Sequence, residues 1–214
     1  NISFFYPKAQ QGTALGLNAG LGNLGVSVMQ FLVPLVIGVS LFGAVGGSPQ
    51  ELADGSQLWL QNAGFVWVPL ILAVTVAAWF GMNDLSSAKA SFAEQAVIFT
   101  RKHNWLMCWL YLATFGSFIG FAAAFPLLIK HSFPEINALQ FAFLGPFVGA
   151  LIRPLGGWLA DKAGGASVTL WNFVLMIAAV FGAIHFLPQA GSAGNFYGFL
   201  TMFMLLFVST GIGK

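Results

Sequence analysis

Long stretches with at most one charged side chain constrain this sequence more than any other feature. The 214 residues include only 8 Lys and Arg and 6 Asp and Glu. A helix needs roughly 20 apolar residues to cross the ~30 Å hydrocarbon core of a bilayer, because each residue adds about 1.5 Å. Such stretches lie near residues 13–42, 58–82, 104–129, 137–160, 167–187 and 195–213. The sequence therefore predicts an all-α, polytopic helical membrane protein with six transmembrane helices.

The composition agrees with this class and argues against several others. Hydrophobic residues make up 58% of the chain, as in proteins that bury most of their surface in lipid. The single cysteine, Cys108, excludes an intrachain disulfide. The histidines lie on different loops or span ends and form no ligand cluster: His103, His131 and His185. We therefore expect no metal, no organic cofactor, no nucleic-acid partner and no enzymatic activity.

The basic residues predict which span ends are cytoplasmic. Lys130 falls alone on one side of the membrane. Six basic residues fall on the other side: Lys8, Lys89, Arg101, Lys102, Lys162 and Lys214. Because loops rich in Lys and Arg stay in the cytoplasm, the larger group marks the cytoplasmic ends. The acidic loop 46–57 is then external, and the polar segment 83–104 is cytoplasmic, with room for an amphipathic helix at the interface.

Arg153 is the only charged side chain inside a predicted span. A guanidinium in hydrocarbon costs between about 2.5 and more than 10 kcal/mol, so an intramembrane arginine is a candidate functional residue and implies a buried anion. Two structural interpretations stay open: the side chain could extend to the interface near Asp161, or pair with an acid of another span. No predicted span contains an acid, which favours function. Its neighbours are small: Gly145, Pro146, Gly149 and Gly157.

The first predicted span carries small and amide residues on two opposite faces. At 100° per residue, one narrow sector contains Gly12, Gly16, Gly20, Asn23, Ser27, Gln30 and Pro34, and the opposite one contains Asn18, Gly22 and Gly25. Glycines at this spacing allow close helix packing in membranes, whereas Asn23 and Gln30 can line a polar cavity or form an interhelical hydrogen bond. The glycines also match G-x-G-x-x-G, but a dinucleotide site requires a preceding strand and an acid about 20 residues later. That assignment is rejected.

The third predicted span has an aromatic face. Its members share one side of the helix: Cys108, Tyr111, Phe115, Phe118 and Ala122. Aromatic residues at helical spacing more often pack than bind a ligand. Tyr111 differs, because a phenol hydroxyl inside a membrane span needs a hydrogen-bonding partner.

Two motifs resemble those of a known family. The segment GWLADKAG, residues 157–164, resembles the cytoplasmic-loop signature of the major facilitator superfamily. The segment PKAQQGTALGLNAGLGNLGVSVMQ, residues 7–30, resembles the nitrate signature of its nitrate/nitrite porter branch. The resemblance implies a major facilitator fold in the bacterial cytoplasmic membrane, with this chain as an internal fragment holding spans five to ten. It also implies nitrate/nitrite exchange by alternating access.

The resemblance assigns roles to particular residues. Substrate binding is expected for Arg153, Asn23, Tyr111 and Phe115, and conformational gating for Asp161, Gly157, Gly20, Gly22 and Gly25. Arg153 would be one of two substrate-binding arginines, the second lying in a span outside this chain. The expected partners are nitrate, nitrite, the lipid bilayer and the remaining spans of the same protein.

The domain organisation follows from the same resemblance. Residues 1–83 would end an N-terminal helical bundle, residues 84–104 would form the inter-bundle linker, and residues 105–214 would supply the first four spans of a C-terminal bundle. Two other functions stay open. Proton-coupled uptake of another anion would normally require a titratable carboxylate or histidine in the membrane, and a receptor would bind an anion without moving it.

Overall fold

The computed structural model describes residues 2–82, 91–189 and 193–213. Five helices in these ranges are long and apolar enough to cross a membrane, and a sixth apolar helix is shorter. We name them span 1 (Lys8–Val36), span 2 (Asn62–Gly81), span 3 (Lys102–Ser132), span 4 (Leu139–Ala163), span 5 (Gly165–Phe186) and span 6 (Phe196–Ile212). The all-α prediction with six transmembrane helices agrees with this set.

Several spans are interrupted. Span 1 opens with a 3-10 turn, Lys8–Gln10, before the α-helix Gln11–Val36. Span 2 divides into Asn62–Phe65 and Trp67–Gly81. Span 3 consists of Lys102–Tyr111, a π-helical turn Leu112–Gly116, and Ser117–Ser132. Span 4 consists of Leu139–Ala142, Leu144–Leu151 and Arg153–Ala163.

The remaining elements are short. They are the helices Ile2–Phe5 and Phe92–Ala96, the 3-10 turns Gly43–Gly46 and Val97–Thr100, and the strands β1 (Gln50–Glu51) and β2 (Gln57–Leu58). Of the predicted linker 84–104, residues 84–90 lie outside the described residues. The rest contains the short helix, the second 3-10 turn and the start of span 3.

The chain divides into two compact units. The first contains Asn1–Val28 and Ala93–Lys214, and the second contains Met29–Phe92. The boundary along the chain falls within span 1. The bundle assignment made from the sequence stays a prediction.

In the second unit, span 1 ends earlier than its hydropathy predicts. The predicted span continues to residue 42, but the helix ends at Val36. The buried amide of Asn62 donates hydrogen bonds to the carbonyl oxygens of Val36 and Val39, at 2.9 and 2.8 Å. The last carbonyls of a helix need such donors, so an amide from the next span terminates the helix where the hydropathy would have continued it.

The acidic loop of the second unit contains a small hairpin that the sequence did not predict. Strands β1 and β2 pair antiparallel, with Gln50 opposite Leu58. At the turn, Asp54 accepts hydrogen bonds from the backbone N–H and the hydroxyl of Ser56, at 3.0 and 2.6 Å. These bonds stabilise the ionised carboxylate and lower the pKa of Asp54.

In the first unit, phenylalanines from spans 3 and 6 form the core. On span 6, Phe199, Phe203 and Phe207 repeat every four residues, which places them on one helix face. Phe125 of span 3 stacks on Phe203 with ring centroids 4.7 Å apart, and it meets Phe207 edge-on at 6.0 Å. Phe118, also on span 3, is fully buried and meets Phe207 edge-on at 6.1 Å.

Span 4 packs against this core through its small residues. A methyl group at Gly145 would overlap the ring of Phe207, and one at Gly149 would lie 2.9 Å from the ring of Phe118. Only glycine allows these close approaches. Span 4 also breaks at residue 152, immediately before Arg153. Pro154 contributes to this break because it cannot donate the usual hydrogen bond to the carbonyl of Ala150.

Candidate functional site

Arg153 begins the last helical segment of span 4 and is 1% exposed, which makes it the largest fully buried side chain in the described structure. Its guanidinium carbon lies 5.1 Å from the ring centroid of Phe118 and 5.4 Å from that of Phe115. Both distances are within the range of cation–π attraction, which is strongest where water is excluded. The side chain is buried among span 3 aromatics and does not extend along span 4 to the interface.

Three span 3 aromatics form a row of nearly parallel rings. Tyr111 stacks on Phe115 at 5.2 Å and 7°, and Phe115 stacks on Phe118 at 6.2 Å and 15°. The π-helical turn Leu112–Gly116 lies within this row, and such turns often occur at functional sites. Burial increases along the row, from the exposed Tyr111 through the half-buried Phe115 to Phe118 at 0%. The guanidinium lies over the buried end.

The donors of Arg153 are incompletely used. Its Nε and Nη2 atoms are buried and have no hydrogen-bond partner among the described residues. These two nitrogens share one edge of the planar group, the edge that donates two parallel hydrogen bonds to an oxyanion. No carboxylate in the described part of the chain pairs with Arg153, so the structural ion pair considered from the sequence is not observed there.

The predicted inward face of span 1 contacts span 4. A methyl group at Gly20 would lie 2.7 Å from the carbonyl oxygen of Ala150 and 3.5 Å from Cβ of Arg153. Two turns further along span 1, the hydroxyl of Ser27 donates to the carbonyl oxygen of Phe143 at 3.0 Å. The same contact face therefore carries Gly20 and Ser27, and Gly20 brings span 1 directly against the site.

Asn23 lies between these two contacts along span 1. It is half-buried, and no hydrogen bond joins its side chain to another described residue. Asn23 follows Gly20 by three residues, or about 4.5 Å along the helix axis. This spacing puts Asn23 on the same side of span 1 as Gly20.

The opposite face of span 1 is open. A methyl group at Gly22 or Gly25 would meet no atom of the described structure within 4 Å, and Asn18 is exposed. The gating role expected for Gly22 and Gly25 stays a prediction. Their small size is not required by any contact within the described residues.

Asp161 joins the last turn of span 4 to the start of span 1, the ends that the basic residues predict to be cytoplasmic. Its carboxylate accepts hydrogen bonds from the backbone N–H groups of Gly12 and Thr13, at 2.9 and 2.8 Å, and from the Thr13 hydroxyl at 2.7 Å. The first N–H groups of a helix lack partners within the helix, and the helix dipole favours an anion there. A methyl group at Gly12 would lie 2.4 Å from the Asp161 carboxylate and 2.8 Å from the carbonyl oxygen of Gly157. Glycine at position 12 therefore allows the contact.

Comparison with known proteins identifies the family. No protein-family sequence model matches the chain. The chain is 54% identical over its full length to the nitrate/nitrite transporter NarU of Escherichia coli, covering 46% of that protein. It is 57% identical to NarU of Salmonella typhimurium, again covering 46%, and 42% identical to the probable nitrate/nitrite antiporter NarK2 of Thermus thermophilus, covering 50%. The chain belongs to the nitrate/nitrite porter family of the major facilitator superfamily.

Membership in the porter family confirms the resemblance inferred from the two motifs. The chain spans about half the length of the curated relatives it matches. Together with the apolar spans, these bacterial relatives indicate a multi-pass protein of the inner membrane. The relatives carry the names of transporters and antiporters, and none of these names is that of an enzyme.

Two residues that contact the predicted site residues were not among those named from the sequence. Phe118 lies closer to the guanidinium than Phe115 does, and its position on the same face as Tyr111 and Phe115 was the available signal. Thr13 donates to Asp161 through both its backbone N–H and its hydroxyl. No local pattern indicates the role of Thr13, because its partner lies 148 residues away.

Proposed function

We propose that this chain is part of a transporter that exchanges nitrate and nitrite across the bacterial inner membrane by alternating access. The observation that carries the proposal is the buried guanidinium of Arg153, whose Nε and Nη2 donors have no partner among the described residues. A buried charge with unused donors is costly unless an anion completes it. The names of the relatives favour nitrate and nitrite as that anion.

The chemistry of the site suits these substrates. Nitrate and nitrite are small planar monoanions, and the guanidinium edge can donate two parallel hydrogen bonds to two of their oxygens. A lysine ammonium is a point charge and lacks this fork. In the proposed complex, the Tyr111 hydroxyl and the Asn23 amide supply further donors, and the Phe115 ring bounds the flat ion. No resident cofactor is needed for this recognition.

The burial of Arg153 also favours exchange over net uptake. An empty site would carry an uncompensated positive charge, and moving that charge through a low-dielectric barrier is unfavourable. A bound monoanion neutralises part of the charge. The substrate then moves with the site as the two helical bundles rock around it, as in other carriers built from repeats.

The Asp161 contact supplies a gate in this proposal. When the carboxylate holds the start of span 1 against the end of span 4, the cytoplasmic ends of these helices stay together. Opening toward the cytoplasm requires the loss of the hydrogen bonds to Gly12 and Thr13. Gly12 and Gly20 allow the close contact along this interface, and Gly157 adds its carbonyl oxygen near Gly12.

Counterflow in proteoliposomes tests the proposal. Reconstituted full-length protein should take up labelled nitrate when nitrite or nitrate is trapped inside, and should take up little into empty vesicles. An imposed pH gradient should have little effect. Strong uptake into empty vesicles that depends on a proton gradient would establish proton-coupled transport instead. Equilibrium nitrate binding without counterflow would establish a receptor.

A further inference from the structure

Phe118 lies next to the buried guanidinium of Arg153 but is given no role in the proposed transport mechanism. It is 0% exposed, and its ring centroid lies 5.1 Å from the guanidinium carbon of Arg153. The ring is fixed on two further sides. Gly149 leaves room for only a hydrogen atom next to it, and Phe207 meets it edge-on at 6.1 Å and 87°. The ring of Phe118 is therefore held in place by its neighbours, next to the long side chain of Arg153.

We propose that Phe118 is a positioning residue that holds the Arg153 guanidinium flat, so that its Nε and Nη2 edge is presented to the substrate. The inference rests on the proposed function, because it concerns how the same site binds nitrate. The electron-rich face of an aromatic ring attracts a cation lying over it, most strongly when both are desolvated. With one face held against Phe118 and Phe115, the guanidinium keeps its edge for hydrogen bonding.

Phe118 is better suited to this role than Phe115. Phe115 is half-buried and stacks on the exposed Tyr111, so it lies toward the open end of the row. Phe118 has no exposed surface with which to meet a hydrated ion. Its effect on binding must therefore pass through Arg153. A rigid support reduces the conformational entropy that Arg153 loses when the anion binds, which is the usual benefit of preorganisation.

The first test compares Phe118→Leu with Phe125→Leu in the full-length transporter. Phe125 is a matched control because it lies on the same span, is also 0% exposed and also meets Phe207 edge-on. The rings over which the guanidinium lies in the described structure are those of Phe115 and Phe118. If both residues serve only packing, the two variants should show similar losses of melting temperature and similar losses of nitrate affinity. We expect Phe118→Leu to raise the nitrate dissociation constant roughly tenfold, and Phe125→Leu to change it by less than about twofold. Equal affinity losses would overturn the proposal.

A second test does not depend on removing the ring. Mono-, di- and trifluorinated phenylalanines at position 118 keep the shape of the side chain while they withdraw electrons from the ring face. Nitrate affinity, measured by calorimetry, should fall stepwise with fluorination at position 118 and stay constant with the same series at position 125. An unchanged or rising affinity at position 118 would overturn the positioning role, since a ring that touched the anion directly would bind it better when fluorinated.

The same titration separates the two proposals. Wild-type protein that binds neither nitrate nor nitrite would overturn the proposed function. Wild-type binding that fluorination of Phe118 leaves unchanged would overturn the positioning role alone.

Discussion

Arg153 and Asp161 lie on the same helical segment of span 4, but their charges are satisfied very differently. Asp161 is half-buried and accepts three hydrogen bonds from Gly12 and Thr13. Arg153 is almost completely buried, and two of its nitrogens have no partner in the described structure. The more deeply buried charge therefore has the less complete hydrogen bonding.

We infer from this difference that Asp161 serves a contact between helices, whereas Arg153 serves the binding of an anion. A charge placed for stability should gain more partners as it becomes more buried, because desolvation is costly. Asp161 follows that rule and Arg153 does not. The contrast leads to opposite expectations: changes at Asp161 should alter conformational exchange, and changes at Arg153 should alter substrate binding.

The largest expected effect follows from Arg153→Lys. Lysine keeps the positive charge but loses the planar fork with two parallel donors. We expect nitrate exchange by the full-length transporter to fall by about 100-fold or more, since each 1.4 kcal/mol of lost binding is a factor of ten. Initial counterflow rates, normalised to the amount of reconstituted protein, measure the effect. Near-normal exchange by a well-inserted variant would remove Arg153 from the substrate site.

Arg153→Met tests whether Arg153 contributes to the stability of the fold, as well as to exchange. It should abolish exchange as the lysine variant does, but it should leave the thermal stability of the substrate-free protein unchanged or raise it. The reason is that replacing an incompletely paired buried charge with an apolar side chain is often neutral or stabilising. A melting temperature several degrees lower than that of the wild type would show that Arg153 stabilises the fold.

The next effect concerns Asp161→Asn, which should slow exchange roughly tenfold while nitrate affinity stays within about twofold. The neutral amide weakens charge-assisted hydrogen bonds that contribute about 1.5–3 kcal/mol each. Asp161 follows Arg153 by eight residues, about 12 Å along the axis, so both cannot contact one small ion. Equilibrium binding and counterflow on one preparation separate the two quantities. Lost binding with unchanged exchange kinetics would contradict the gating role.

Asn23→Ala should have a smaller effect, raising the apparent nitrate dissociation constant about fivefold and leaving the protein yield nearly unchanged. A lost hydrogen bond that contributes about 1 kcal/mol accounts for a change of this size. If Asn23 only packs, alanine at this helix contact should be tolerated or stabilising, and affinity should not change. Transport kinetics and detergent melting curves from the same sample distinguish these results.

The sequence predicted the spans and the contact face of span 1 because both depend on local patterns. Hydropathy located six helices, and the 100° spacing placed Gly20 and Ser27 on one side, where the structure finds their contacts with span 4. The predicted end of span 1 was wrong, because the true end depends on the side chain of Asn62, which lies in the next span.

The details of the site depend even more on distant residues. An aromatic stripe on span 3 has the same pattern whether it packs or supports a charge. Only the approach of Arg153 from span 4 distinguishes Phe118 from the other buried phenylalanines. Likewise, no pattern near Asp161 indicates that its partners begin span 1. The site residues named from the motif resemblance stay predictions, and the contacts of Arg153 and Asp161 provide the geometry for testing them.

The smallest expected effect is that of Thr13→Val. This variant tests whether Asp161 needs the hydrogen bond from the Thr13 hydroxyl in addition to those from the backbone. Valine keeps the β-branched shape and the backbone N–H that donates to Asp161 at 2.8 Å, and removes only the hydroxyl that donates at 2.7 Å. Loss of this one hydrogen bond should change the exchange rate about threefold, in the same direction as Asp161→Asn, with nitrate affinity unaffected. Thr13→Ser keeps the hydroxyl and should exchange at nearly the wild-type rate. If the valine and serine variants behave alike, the backbone N–H groups alone maintain the contact, and the hydroxyl has no part in gating.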